Sequence, residues 1–113
     1  PINNPRPYYP SRARERGQMA AVTVELFLAQ DGTHTNHQVI SSNLLRRCWN
    51  QDDTDCSYSI DENGEKFELS DSKASAFHAS SISAAKRLEF KANNNRDPNY
   101  RTTHVFHFIM AEW

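Results

Sequence analysis

Val22, Val24, Leu26 and Leu28 alternate with Thr23, Glu25, Phe27 and Ala29 before the chain reaches Asp31-Gly32. Side chains two apart share a face of an extended chain, whereas a helix would scatter them, so this stretch is a strand that stops at a turn. The last segment, Thr103 to Trp113, alternates on both faces: His104, Phe106, Phe108 and Met110 against Val105, His107, Ile109 and Ala111. A strand with two apolar faces is expected in the middle of a sheet. A chain of 113 residues is of single-domain size, and these two strands are expected to supply most of its core.

Between them the pattern is of short strands parted by turn residues. A less regular strand covers about His37 to Ile40 and resumes through Leu44 to Trp49. Two further runs, Cys56 to Ile60 and Glu65 to Leu69, flank Asp61-Glu62-Asn63-Gly64, and Asn-Gly supplies the positive φ that a tight hairpin requires. Arg87 to Ala92 alternates cleanly before Asn93-Asn94-Asn95 and is read as another strand. Residues 71–85 are ambiguous. Ala74, Phe77, Ser81, Ala84 and Leu88 keep helical spacing, while the serines and Ile82 weaken the helix, so the segment is a short helix or a loop crossing the domain. The fold expected is all-β: an antiparallel β-sandwich or jelly-roll (cupin-like) domain over residues 19–113, of six or seven strands with at most one short helix.

Residues 1–18 have another texture. Four of the five prolines (Pro1, Pro5, Pro7, Pro10) and four arginines lie there, a composition that resists helix and sheet and predicts an extended or disordered arm. The alternating Arg12, Arg14 and Arg16 admit three uses: a processing site cut after Arg16, with Arg14 part of the recognised run; a polyanion contact in which Tyr8 and Tyr9 stack; or a solvated lead-in. The net charge of −1 hides a partition. Residues 1–17 hold four arginines against Glu15, residues 51–72 hold eight acidic side chains against Lys66, and residues 86–101 hold five basic against two acidic. Charged loops that keep a lean domain soluble give the same partition. As a functional feature it nominates Asp52, Asp53 and Asp55 in the acidic loop and Arg96, Asn99 and Arg101 in the basic one as partner-binding residues.

Cys48 and Cys56 enclose a polar, turn-rich loop, and a disulfide between them is expected to contribute about 2–3 kcal/mol and to mark an oxidising compartment. No apolar run approaches the roughly 20 residues that span a bilayer, and no stretch has the layout of a signal peptide. The first residue, Pro1, is compatible with a secreted chain whose leader is gone.

Catalytic signals are thin. With three glycines in the chain, a phosphate-cradling loop is nearly excluded, and no Gly-x-Ser-x-Gly turn is present. His34/His37 and His104/His107 are spaced three apart: on the terminal strand that spacing points His104 and His107 to opposite faces, while His34 and His37 lie in a loop and could converge but have no carboxylate at a recognisable offset, so no metal site and no cofactor is expected. A ribonuclease-like set of His104, His107, Glu89, Glu68 and Arg87 can be assembled on neighbouring strands, as in nearly any β domain of this composition. The chain is read as non-enzymatic.

A Pro- and Arg-bearing lead-in, two cysteines and a β domain of this size resemble, in style across the whole chain and without a specific motif, the small secreted effector (avirulence) proteins of plant-pathogenic fungi of the rust type. That resemblance implies a virulence protein that is secreted, translocated into the host cell, monomeric, free of membranes, and bound to a host plant protein with recognition by an NLR-type immune receptor. The rival readings are an RNA-binding or ribonuclease-like domain and a viral structural protein with a basic arm.

Overall fold

The computed structural model describes residues 1–48, 54–60 and 64–110. It is a small, mainly all-β, single domain: a curled antiparallel sheet of five strands with one short helix packed across it. The strands are β1 (Met19–Leu28), β2 (His34–Arg47), β3 (Tyr58–Ser59), β4 (Lys66–Leu69) and β5 (Arg101–Phe108), in the order β3-β4-β2-β1-β5. All five lie in one sheet. The layer over its main apolar face is built by helix α2 (His78–Lys86), the 3₁₀ turn before it (Ser75–Phe77) and the N-terminal segment.

β1 follows from its alternation. Val22, Val24 and Leu26 are fully buried against Phe77, Ala84, Phe106 and Phe108 on the covered face. Opposite, Met19 and Ala21 join Leu45 and Phe67 in a second, smaller cluster at one end of the sheet. The turn after β1 is held by Asp31, whose Oδ1 accepts from the Thr33 backbone N–H at 2.9 Å and from its hydroxyl at 2.6 Å. β2 is one strand from His34 onward, but its register against β1 shifts twice, between Thr23 and Val24 and between Glu25 and Phe27. The second shift contains Asn36 at φ 57°, a conformation asparagine tolerates better than most residues. These irregularities broke the period that defines a strand in sequence.

The ambiguous segment is helical, and its spacing was informative: Ala74, Phe77, Ser81, Ala84 and Leu88 are all buried. Ser80 and Ser81 also face inward, and their small side chains let α2 sit close to the sheet. Ser81 returns its hydroxyl to the Phe77 carbonyl at 2.8 Å, and His78 bonds Ser42 of β2 at 2.7 Å. The hairpin signal corresponds to β3 and β4, paired Tyr58 to Phe67 and Ser59 to Lys66; its turn residues 61–63 lie outside the described residues.

Three expectations are corrected. Residues 87–92 are not a strand: their polar backbone groups are taken by side chains and by the N-terminal segment instead of by a ladder. β5 ends at Phe108, and among the described residues it pairs with β1 alone, so it is an edge rather than a central strand. Its second apolar face, Val105 and Ile109, stays exposed. The arm is neither free nor wholly extended. Ser11–Glu15 form a one-turn helix, α1, that buries Ala13, and the residues before it lie along the domain.

Candidate functional site

The open side of β5 is built from both ends of the chain. On the covered face Thr102, His104, Phe106 and Phe108 point inward, with Phe106 and Phe108 buried. On the other face Arg101, Thr103, Val105 and His107 follow one another, matching Phe27, Glu25, Thr23 and Ala21 of β1. Arg101 places its guanidinium over the Phe27 ring at 4.7 Å, and Val105 is 40% exposed. An edge of eight residues with its outer backbone groups unpaired by β1 is a template for another extended segment.

Burial disfavours the charged form of both histidines on this edge. Burial lowers the pKa of His104, with the Pro1 ammonium a lesser cause, and burial followed by His104 lowers that of His107. His107 Nε2 is hydrogen-bonded to the Tyr58 hydroxyl at 2.6 Å, and burial raises the Tyr58 pKa. The strand therefore presents an uncharged surface except at Arg101.

Residues 2–9 line the shoulder of this edge. Exposure alternates along them: Asn3, Pro5, Pro7 and Tyr9 turn inward, Ile2, Asn4, Arg6 and Tyr8 outward. Asn3 Nδ2 donates to the Arg87 carbonyl at 2.8 Å and its Oδ1 accepts from the Glu89 backbone N–H at 2.7 Å, while the Ile2 N–H reaches the Glu89 carbonyl at 2.8 Å. The Tyr9 ring stands edge-on to Phe77 and Phe108. Sequence reasoning missed this strap, although the inward positions recur every second residue.

Of the residues nominated from the charge partition, the described ones lie at two ends of the sheet. Asp52 and Asp53 lie outside the described residues. Asp55 is exposed and adds to the field that raises the Arg46 pKa, a shift owed first to Glu68. Arg96 folds inward, donating to the Ala29 carbonyl at 2.6 Å and the Lys91 carbonyl at 3.0 Å; Asn99 closes a turn on Asp97. Asp55 neighbours the end of the sheet where β1 begins, and Arg96 and Arg101 the end where it finishes. A ten-residue strand, roughly 30 Å long, separates them. Cys48 and Cys56 form a disulfide with Cα atoms 5.9 Å apart. Arg14 stacks over Tyr9 at 5.4 Å, and Arg16 caps α1, exposed.

His34 and His37 do converge, because the irregularity at Asn36 turns His37 back: Nδ1 of His34 and Nε2 of His37 are 2.6 Å apart. The other nitrogen of His34 donates to the Leu88 carbonyl at 2.6 Å, which makes Nδ1 the acceptor of a proton on His37. The pair ties β2 to the segment that carries the strap. Among the described residues no three His, Cys, Asp or Glu converge as metal ligands. The ribonuclease-like set is dispersed: Glu68 pairs with Arg46, and Arg87 donates to the Arg6 and Ser83 carbonyls.

Residues 5–48 match the C-terminal domain of the Gram-negative bacterial TonB protein. The match spans the strap from Pro5, α1, β1 and β2, and is under half of the chain. No curated protein and no solved structure matches the chain. The TonB-type match overturns the fungal-effector reading, and with it the avirulence role, the host plant protein and immune receptor as partners, and translocation into a host cell. It gives no support to the RNA-binding, ribonuclease-like or capsid alternatives. The resemblance in style rested on size, a Pro- and Arg-bearing lead-in, few cysteines and a β domain, general features that no motif ties to one family. The matched family is a non-enzymatic protein-interaction domain, in agreement with the non-enzymatic reading of the chain.

Proposed function

We propose that this chain is an interaction domain of the bacterial cell envelope, of TonB type, that takes an extended segment of an outer-membrane receptor along the outer side of β5. Two observations support the reading: the family match over the strap, β1 and β2, and an eight-residue edge strand with no second neighbour among the described residues. Adding a strand satisfies backbone groups that the edge otherwise leaves to water, and side-chain contacts on alternate positions supply selectivity. On the outward face the added strand meets Val105 and Ile109; on the covered face it meets the shoulder formed by the strap. Because the edge is uncharged apart from Arg101, recognition rests on main-chain pairing and apolar contact more than on long-range attraction.

The test is titration of isotope-labelled protein with a synthetic peptide copying the cell-interior-facing N-terminal stretch of a TonB-dependent outer-membrane receptor. Amide shifts confined to residues 101–108, and their loss in Val105→Lys with stability kept within about 0.5 kcal/mol, are the expected result. Shifts centred elsewhere, or saturable binding that Val105→Lys leaves intact, would remove β5 as the site.

A further inference from the structure

We infer that Tyr58 decides which extended segments the edge of β5 accepts, by closing that edge at His107 so that only a small side chain fits beside it. The inference rests on β5 as the binding edge and adds a chemical requirement for the segment: glycine, alanine or serine at one fixed position. Strands β4, β2 and β1 lie between β3 and β5, which in a flat sheet would hold those two about 19 Å apart. The sheet is curled, and the Tyr58 hydroxyl meets His107 Nε2 at 2.6 Å, with ring centroids 5.8 Å apart. Inside the curl lies the smaller apolar cluster of Met19, Ala21, Leu45 and Phe67, against which Tyr58, Ile60 and Met110 pack. The two edges of the sheet are thus joined at one point.

Three contacts fix Tyr58. Its partner across the ladder, Phe67 of β4, is buried. Arg47, at the end of β2, lies over the Phe67 ring at 5.7 Å and donates to Glu65 at 2.7 Å and to the Met110 carbonyl, so the base of the hairpin is tied to the end of β5. The Cys48–Cys56 disulfide fastens the chain two residues before Tyr58. At the opposite end of β5, Val105 is exposed and Arg101 stacks on Phe27, so among the described residues the outward face is open at Val105 and closed at His107.

A strand laid along β5 puts every second side chain on this face, about 5 Å from its neighbour on β5. Beside Val105 such a side chain has room. Beside His107 it enters the gap that the Tyr58–His107 bond spans, and a large group has to displace the ring at the cost of its packing and its hydrogen bond. A clash against wrong segments confers selectivity as surely as a contact with the right one. Tyr58 lies beyond residue 48, where the family match ends, so the restriction comes from a part of this chain that the match does not cover.

The experiment scans the receptor-derived peptide used above, replacing each residue in turn by alanine and by tryptophan and measuring Kd for the full chain and for Tyr58→Ala. The peptide residue beside His107 is located by its nuclear Overhauser contacts to the imidazole protons. At that position tryptophan should bind about 10-fold more weakly than alanine to the unmodified chain and within about 2-fold of alanine to Tyr58→Ala. Beside Val105 the two residues should rank alike in both proteins. Should Tyr58→Ala not fold, Tyr58→Val keeps a β-former in β3 and gives the same comparison. A mere loss of stability would weaken all peptides together and leave the ratio of the two constants unchanged. Peptides that bind along 101–108 with no penalty for tryptophan beside His107, or with the same penalty in both proteins, would overturn the role of Tyr58 while β5 stands. Binding centred away from 101–108 would remove β5 as the edge, and the role of Tyr58 with it.

Discussion

The ring of Tyr9 meets that of Phe108 edge-on, with centroids 5.8 Å apart and planes at 83°, and so joins the N-terminal strap to the last strand of the sheet. The same ring is 5.7 Å from Phe77, and its hydroxyl donates to the Gln18 carbonyl. Tyr9→Ala should lower the stability measured by urea unfolding by about 2–3 kcal/mol, less than for a fully enclosed ring because Tyr9 is half-buried. Tyr9→Phe keeps both ring contacts and should cost about 1 kcal/mol for the hydrogen bond. Equal losses in the two variants would place the ring outside the core.

Gly32→Ala should be disproportionately costly. At φ +94° glycine adopts a conformation that side chains resist, and an added Cβ would lie 2.5 Å from the Phe90 carbonyl oxygen. The expected loss is at least about 1–2 kcal/mol, read as a fall in urea midpoint with unchanged slope. Alanine at Gly17, where nothing lies within 4 Å, should show only the backbone part of that penalty. A larger loss at Gly17 than at Gly32 would reject the close approach.

Stability should depend on pH through histidines. Burial is the first cause that lowers the pKa of His37, His104 and His107 below the ordinary 6.5. The folded chain therefore binds fewer protons than the unfolded chain just below that value, so stability is full above about pH 6.5 and falls as the pH drops through the folded-state pKa values. For His37, His34 and Lys86 add repulsion to the same effect. Urea midpoints at pH 7.5 and pH 5 should differ in that direction, and replacing all three with glutamine should flatten the difference. A midpoint that rises on acidification would contradict the burial of these rings.

Reduction of Cys48–Cys56 should lower stability by about 2–3 kcal/mol through the entropy of the released loop. The fall in melting temperature on adding dithiothreitol should vanish in the double serine variant. A chain whose melting is the same with and without the bond would show that the loop is held by other contacts.

The strands were legible where one face repeats. β1 could be read residue by residue, and the five helical positions from Ala74 to Leu88 mark the inward side of the turn and helix, because burial enforces period in whichever element is present. β2 was legible only in pieces, since two register shifts break the alternation. Arg96 reads in sequence as a surface charge, yet its guanidinium has donors enough to bind two loop carbonyls, a use that charge counting does not reveal. The candidate edge was hidden for a related reason: alternation with two apolar faces was read as a strand covered on both sides.

The sequence by itself determined the local alphabet of this protein: an all-β domain, the alternation of β1 and β5, the helical spacing after residue 73, and two cysteines placed to close a short loop. Tertiary structure decided the neighbours. Periodicity states which side chains seek cover, but not what covers them, and that choice depends on contacts between residues far apart in the chain. Thus the strap took the layer beside β5, residues 87–89 gave their backbone groups to Asn3 and Ile2 in place of a ladder, and among the described residues β5 was left with β1 as its one neighbour.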